Sequence, residues 1–204
     1  QQTPAREPLP KALAAEQAIA RAGIDRGSID LVLSTTSVPD YLMVPNACRT
    51  HEELGLSRRC FTLQTEGVCN AFHMQLSLAQ TMIQAGRAKV ALLIQSSGTT
   101  RLMSPEDPMS AWFGDGATAV IVGAVEPGFG LLGQSHETHG EYYEGLVCGV
   151  PDRPWYSGER PRAYIVRPEL SRRLLLETIH RSHVLIADAL REAQLAPDDI
   201  DFYA

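Results

Sequence analysis

Apolar positions along the chain fall into runs of different period, and each predicts a different element. After Pro8-Leu9-Pro10, Leu13, Ala14, Ala18 and Ala22 recur at helical spacing, and Gly23 stands where a left-handed residue would cap that helix. Ile29 to Ser34 contains the continuous run Leu31-Val32-Leu33, the mark of a buried strand, before Thr35-Thr36-Ser37 opens a loop through Pro39-Asp40-Tyr41. Pro45-Asn46 starts a helix that ends near Gly55, and Cys60 to Leu63 reads as a second strand. The next helix runs to about Ala85 with Gly86 as its cap. It carries one apolar stripe of Phe72, Leu76, Ala79 and Ile83 and a second of Met74, Leu78 and Met82, which predicts burial in the middle of a domain. Lys89 to Gln95 follows as a third strand.

This strand, helix, strand order has the rhythm of a parallel sheet. Ser96 to Met109 is a polar loop, and Phe113-Gly114-Asp115-Gly116 leads into the apolar run Ala117 to Gly123. Phe129 to Ser135 is expected to pair with that run as a hairpin across Glu126-Pro127-Gly128. His139 to Arg162, rich in Gly, Pro and Tyr, reads as an irregular excursion. Pro168 to Ala193 is a long helix with Leu174, Leu175, Thr178, Ser182, Leu185, Ile186 and Ala189 on its expected inner side.

An internal repeat joins the two ends. A shift of 171 positions places Ala18, Ile19, Ala22, Ile24, Ile29 and Asp30 on Ala189, Leu190, Ala193, Leu195, Ile200 and Asp201. One helix-turn-strand unit therefore occurs twice, the second copy ending at Asp201-Phe202-Tyr203-Ala204 as its strand begins. With no initiator methionine before Gln1, the expectation is a piece of a longer duplicated protein.

Composition narrows the functional classes. At 204 residues, 44% hydrophobic and 21% charged, the chain has the make-up of a globular protein with a substantial core. A formal net charge of -6 gives no electrostatic support for nucleic acid or an anionic membrane surface as partner. Lysine occurs only at Lys11 and Lys89. No run approaches the ~20 apolar residues of a transmembrane helix, and Gln1 to Pro10 lacks a signal pattern, so a cytoplasmic location is expected. Cys48, Cys60, Cys69 and Cys148 lack CxxC spacing, which suggests neither a zinc site nor a redox pair, and no cofactor or metal is expected.

Most free cysteines are packing groups. Cys69 differs in its setting, because within the stretch Leu63 to Phe72 a strand-like run turns through Gly67 into the long apolar helix, leaving the thiol at the first turn. Unpaired N–H groups and the positive end of the macrodipole at a helix N-terminus favour thiolate over thiol, lowering a cysteine pKa from ~8.5 toward neutrality. Cys69 is accordingly the candidate nucleophile. Glu66, three residues earlier, opposes this if its carboxylate is close, and otherwise points away or binds amides of the turn.

Four features together resemble the thiolase-fold condensing enzymes of the ketoacyl-ACP synthase III group. They are the Cys69-Asn70-Ala71-Phe72 turn, the seventeen-residue step from Cys69 to Gly86 before a strand, the Phe113-Gly114-Asp115-Gly116 block and the duplicated unit. The resemblance implies an α/β, thiolase-like fold with duplicated halves and layered helices around mixed sheets. Residues 1–166 would be most of the N-terminal half with its insertion, lacking its own start, and 167–204 the beginning of a truncated second half. It also implies a homodimer in which Cys69 takes an acyl group from coenzyme A or an acyl carrier protein and condenses it with a malonyl-type thioester. Alternatives are an acyltransferase forming esters or amides, and a non-catalytic partner subunit of a condensing enzyme.

By the same resemblance, Tyr41, Leu42 and Met43 lie near the dimer seam, where they either close the partner's acyl pocket or form an ordinary apolar cluster. Trp112 and Phe113 line the pocket or pack in the core. Asp115 is a turn residue fixing backbone near the nucleophile, and Gly114 and Gly116 allow close backbone approach. The family's histidine and asparagine would follow Ala204, and His51, His73, His136, His139, His180 and His183 match neither. Asp107 stands where the type enzyme has an arginine for the coenzyme A nucleotide, which gives weight to a carrier-protein donor, and Ser171-Arg172 replaces a Gly-Asn pair at the pocket mouth.

Overall fold

In a computed structural model, which describes residues 10–203, the chain forms two compact units: residues 10–101 with 108–125, and 102–107 with 126–203. Pro8, Leu9 and Ala204 lie outside the described residues. The first unit is built on a four-stranded sheet of order β2-β1-β3-β4: β1 (Leu31–Thr36), β2 (Phe61–Gln64), β3 (Val90–Ser97) and β4 (Gly116–Gly123). β1 is parallel to β2 and to β3, whereas β4 runs antiparallel to β3, giving a mixed sheet.

Helices cover both faces, and the two-residue period of the strands explains which side chains meet which helix. Val32, Leu92 and Ile94 point to the face of α1 (Pro10–Ala22), packing with Ala12, Ala15, Ile19, Leu54 and Leu56. Leu31, Leu33, Ala91 and Leu93 point to the opposite face, where Ala79 of α3 (Ala71–Gln84) is buried among half-buried Phe72, Leu76, Met82 and Ile83. Strands buried on both faces read as continuous apolar runs, the reason Leu31-Val32-Leu33 shows no alternation. α2 (Asn46–Glu53) ends before Gly55, which adopts φ +60°.

Three expectations about helix faces are corrected. α1 turns Ala12, Ala15 and Ile19 inward, not Leu13, Ala14, Ala18 and Ala22; Leu13 is exposed. α3 packs both expected stripes on the core, Ala79 fully and Phe72, Leu76, Leu78, Met82 and Ile83 partly, but its most buried positions also include Ala71 and Gln75, and Met74 is exposed. In the second unit α4 spans Pro168–Ala193 as expected, but Leu175, Leu176 and Ile179 are exposed and only Leu170 is buried. The apolar residues of α4 surround most of the helix, so periodicity alone does not select a face.

Two strand expectations also fail. Residues 129–135 form no strand, although the turn at Glu126 to Gly128 exists, with Phe129 N–H donating to Glu126 O. Gly133 instead lies so close to α4 that a Cβ would meet Ala189 O at 2.2 Å, which specifies glycine there and leaves no room for a regular strand side chain. Ile200 to Tyr203 is likewise not in a strand. The excursion from His139 to Arg162 is more regular than expected: it contains an antiparallel ribbon of β5 (Val147–Gly149) with β6 (Arg162–Tyr164). Beside it, Tyr142 donates its hydroxyl to Glu177 of α4, and Arg173 stacks 5.6 Å from the Tyr142 ring.

The repeat is reproduced in backbone geometry. α1 and α4 each end in a left-handed residue, Gly23 at φ +63° and Gln194 at φ +58°. Single 3-10 turns follow at Arg26–Ser28 and Pro197–Asp199, again offset by 171, and Ile29 and Ile200 donate to Arg26 O and Pro197 O. In the first copy Asp30 then uses its carboxylate to accept the N–H groups of Lys89 and Val90 at 3.0 Å, pinning the start of β3.

Candidate active site

Cys69 sits in a 3-10 turn, Val68–Asn70, between β2 and α3. The thiol thus precedes α3 rather than occupying its first turn, which corrects the expected placement by two residues. Asn70 N–H donates to Gly67 O at 2.8 Å, and Ala71 N–H to Val68 O, so the turn runs continuously into the helix. The Cys69 side chain is exposed in the described chain.

The tight geometry is carried by a residue other than the expected one. Gly67 has φ −172°, extended backbone open to any residue, while Val68 has φ +45°. A β-branched side chain in the left-handed region is strained by about 1–3 kcal/mol. Gly67 is needed for space: a Cβ would lie 3.2 Å from Ala71 N and Cα and 2.5 Å from Met74 Sδ. Val68 is 88% exposed, so little packing offsets its strain. Val68→Gly is expected to leave unfolding free energy unchanged or raise it by up to about 1 kcal/mol in urea titrations, although glycine normally weakens ordered backbone. A loss of more than that amount would show that Val68 is unstrained.

Beneath the turn lies a polar network that sequence reading missed. Gln75, fully buried on α3, donates Nε2–H to Thr65 Oγ1 at 2.9 Å and to Ile94 O at 3.4 Å. Its Oε1 accepts from Gln95 Nε2 at 2.5 Å, and Gln95 Oε1 accepts from Thr118 Oγ1 at 2.9 Å. Thr65 N–H donates to Ser34 O at 2.8 Å. The sheet register makes this possible, since Gln95 opposes Thr118 directly and neighbours Thr35. The one available signal was a glutamine between two apolar stripes of a helix.

The other predicted residues are placed differently from the thiol. Asp115 accepts Thr100 N–H at 3.0 Å and Thr100 Oγ1–H at 2.7 Å, tying the glycine block to the loop after β3. These two bonds, the backbone one first, hold its carboxyl below the usual range. Open space surrounds a Cβ built on Gly114 or Gly116, contrary to the expected close approach. Trp112 and Met43 are 86% and 94% exposed, and Phe113 is half-buried, so Trp112 is not a core residue of the described chain. Tyr41 and Leu42 are exposed with Met43, and a shallow pocket lined by Asp40, Tyr41, Asn46, Cys48 and Arg49 does not include Cys69. Glu66 is exposed at the turn.

None of the histidines is set as a partner of the thiol by a described hydrogen bond. His73 is exposed and meets Phe72 edge-on at 5.8 Å, and His51 Nε2 lies 2.9 Å from Ser57 O. His139 lies between Glu137 and Glu141, whose hydrogen bonds raise its pKa, Glu137 contributing most. His136, His180 and His183 are exposed. Partial burial pushes the thiols of Cys60 and Cys148 up, toward the unreactive protonated form. Among the described residues no group of His, Cys, Asp and Glu is arranged to hold a metal ion, and no helix is long and apolar enough to cross a membrane.

The family model for 3-oxoacyl-[acyl-carrier-protein (ACP)] synthase III matches residues 63–140, the segment holding both Cys69 and the glycine block. Among solved structures, a 3-oxoacyl-[acyl-carrier-protein] synthase III from Aquifex aeolicus VF5 superposes with a TM-score of 0.79 at 21% identity, over 93% of this chain and 57% of its own. Another 3-oxoacyl-(acyl-carrier-protein) synthase III gives 0.76 at 23% identity, over 94% and 60%. OleA of Xanthomonas campestris, in a structure with bound lauric acid and lauroyl-CoA, gives 0.71 at 20% identity, over 94% and 58%. The chain thus spans less than two thirds of the length of these structures. Shared architecture over nearly all of this chain, together with the sequence pattern across residues 63–140, makes it a thiolase-like fold similar to the 3-oxoacyl-ACP synthases III.

Proposed function

We propose that the protein containing this chain is a condensing acyltransferase in which Cys69 carries the acyl group. The observation that carries this reading is the setting of Cys69: an exposed thiol on a strained turn at the head of α3, inside the segment that matches the synthase III pattern. In the first half-reaction the Cys69 thiolate attacks the thioester carbonyl, an Sγ–C bond forms, the donor C–S bond breaks, and the donor leaves as a thiolate that takes up the proton Cys69 gave up. The N–H of Cys69 is assigned as one donor to the tetrahedral oxyanion. In the second, a malonyl-type thioester loses carbon dioxide, its carbanion attacks the acyl carbon, and Cys69 is released.

Acyl-CoA and acyl carrier protein are both donors of the required chemistry, and the lauroyl-CoA bound by OleA supports the former. The duplicated backbone turn supports reading 1–166 and 167–204 as parts of two similar halves, and we extend the reading to a homodimer that closes its pocket with Met43. Tyr41 and Leu42 belong to the same exposed apolar loop.

Full-length protein incubated with acyl-CoA or acyl carrier protein donors is expected to gain one acyl mass. Adding a malonyl thioester should then release one carbon dioxide per acyl group consumed. An ester or amide product without carbon dioxide would move the reading to a simple acyltransferase. No adduct across donors and chain lengths would leave the partner-subunit reading.

A further inference from the structure

We propose that Gln75 is a positioning residue for Cys69, acting through Thr65; this rests on the reading of Cys69 as the acyl-carrying nucleophile. The turn that bears the thiol begins just after Thr65, at the end of the β2 segment, and runs into α3, which carries Gln75 in its second turn. The Gln75 Nε2–Thr65 Oγ1 bond of 2.9 Å therefore joins the segment entering the turn to the helix leaving it. That bond adds a side-chain link to the backbone hydrogen bonds of the turn, Asn70 N–H to Gly67 O and Ala71 N–H to Val68 O.

The rest of the network fixes Gln75 itself. Both amide hydrogens are used, by Thr65 Oγ1 and Ile94 O, and the amide oxygen accepts from Gln95. Gln95 is oriented in turn by the Thr118 hydroxyl across the β3–β4 pair. All donors point the same way, from Thr118 through Gln95 and Gln75 to Thr65, so each bond polarises the next. A fully buried glutamine is costly unless satisfied, and here it is satisfied by the elements that frame the thiol. The strain at Val68 supplies the reason for such a clamp, because a turn held in the left-handed region relaxes unless its surroundings over-determine it.

The test compares full-length parent, Gln75→Leu and Thr65→Val, the latter removing the acceptor while keeping the shape of the side chain. Three quantities are read: the rate of Cys69 acylation by an acyl-CoA from intact mass, the rate of Cys69 alkylation by iodoacetamide, and the thermal unfolding midpoint. Both variants are expected to lose about tenfold in acylation rate, as misplaced reacting groups do. Alkylation by the small, unbound reagent should stay within twofold at temperatures where each variant is folded. Acylation within twofold of the parent in Thr65→Val, or acylation and alkylation falling together in proportion to unfolding, overturns the proposal. If Gln75→Leu does not fold, Thr65→Val decides alone. Absence of an adduct in the parent overturns the functional reading and the positioning role with it, an outcome distinct from a parent that acylates and variants that match it.

Discussion

Cys69→Ala in the full-length protein is expected to abolish the acyl adduct, with a fall in acylation rate on the order of 10³-fold or more, while the fold is retained. The effect is expected to be large because, of the four cysteines, Cys69 alone lies in the segment that matches the synthase III pattern. Cys60 is buried, and desolvation holds Cys60 and Cys148 toward the protonated form, against a weaker opposing bond to Thr62 at Cys60. Cys48 is exposed on α2 and lies outside residues 63–140. Stability is expected to change by no more than about 0.5 kcal/mol, since the Cys69 side chain is exposed and fills no part of either core cluster. Intact mass and peptide mapping check both statements. An adduct forming at Cys48 or Cys148 at the parent rate in the alanine variant would remove Cys69 from its role.

Lys11→Met is expected to stabilise the protein at pH 7, by about 2 kcal/mol, with a gain that fades as pH rises. Lys11 is 2% exposed on the inner side of α1, and among the described residues its Nζ has no hydrogen-bond partner. Burial lowers its pKa from 10.5 to about 8; Asp40 and Glu53 pull the other way, and Arg49 adds to the lowering. Those carboxylates are engaged by Arg49, with Nη1 3.0 Å from Asp40 and Nε 2.7 Å from Glu53. Because the folded pKa lies below the unfolded value, the cost of burying the charged amine is fully present below pH 8. It disappears as pH climbs from 8 to 10.5, where the unfolded chain also loses its proton. Urea unfolding at pH 7 and pH 10 checks this: stability of the parent should rise between the two, and that of the methionine variant should rise less. Equal pH dependence in both would show that Lys11 is solvated.

Much of the framework is legible in the residues because its signals are local. Gly23, Gly55 and Gly86 all adopt the left-handed conformation that ends a helix, so glycine punctuation located three helix ends. The repeat survived even where the capping residue changed from Gly23 to Gln194, because the apolar positions on either side kept their spacing. Cys69 was legible as a residue at a strand-to-helix junction for the same reason.

Misread features share a different cause. α1 is so rich in alanine that several stripes score alike, and only the position of Ile19 over Val32 and Leu92 selects the inner one. α4 is apolar almost all round, and its burial depends on neighbours that periodicity does not name. The apolar run at 129–135 resembled a strand, but the close approach of Gly133 to Ala189 O is a long-range contact between segments more than fifty residues apart. Val68 carries no glycine-like mark in the sequence, yet it holds the left-handed φ of the turn that Gly67 was expected to permit.

By itself the sequence determined the order of the helices and of the four strands of the first unit, the duplicated turn and the thiol at the head of α3, since each depends on residues within a few positions of one another. Tertiary structure decided which face of each helix is buried and how Asp115 is held by Thr100. It also set which polar groups meet around Gln75. Gln75, Thr65, Gln95 and Thr118 are spread over more than fifty positions, and hydrogen bonds reach only about 3 Å. Only the pairing of β3 with β4 and the packing of α3 on the sheet bring them within that reach.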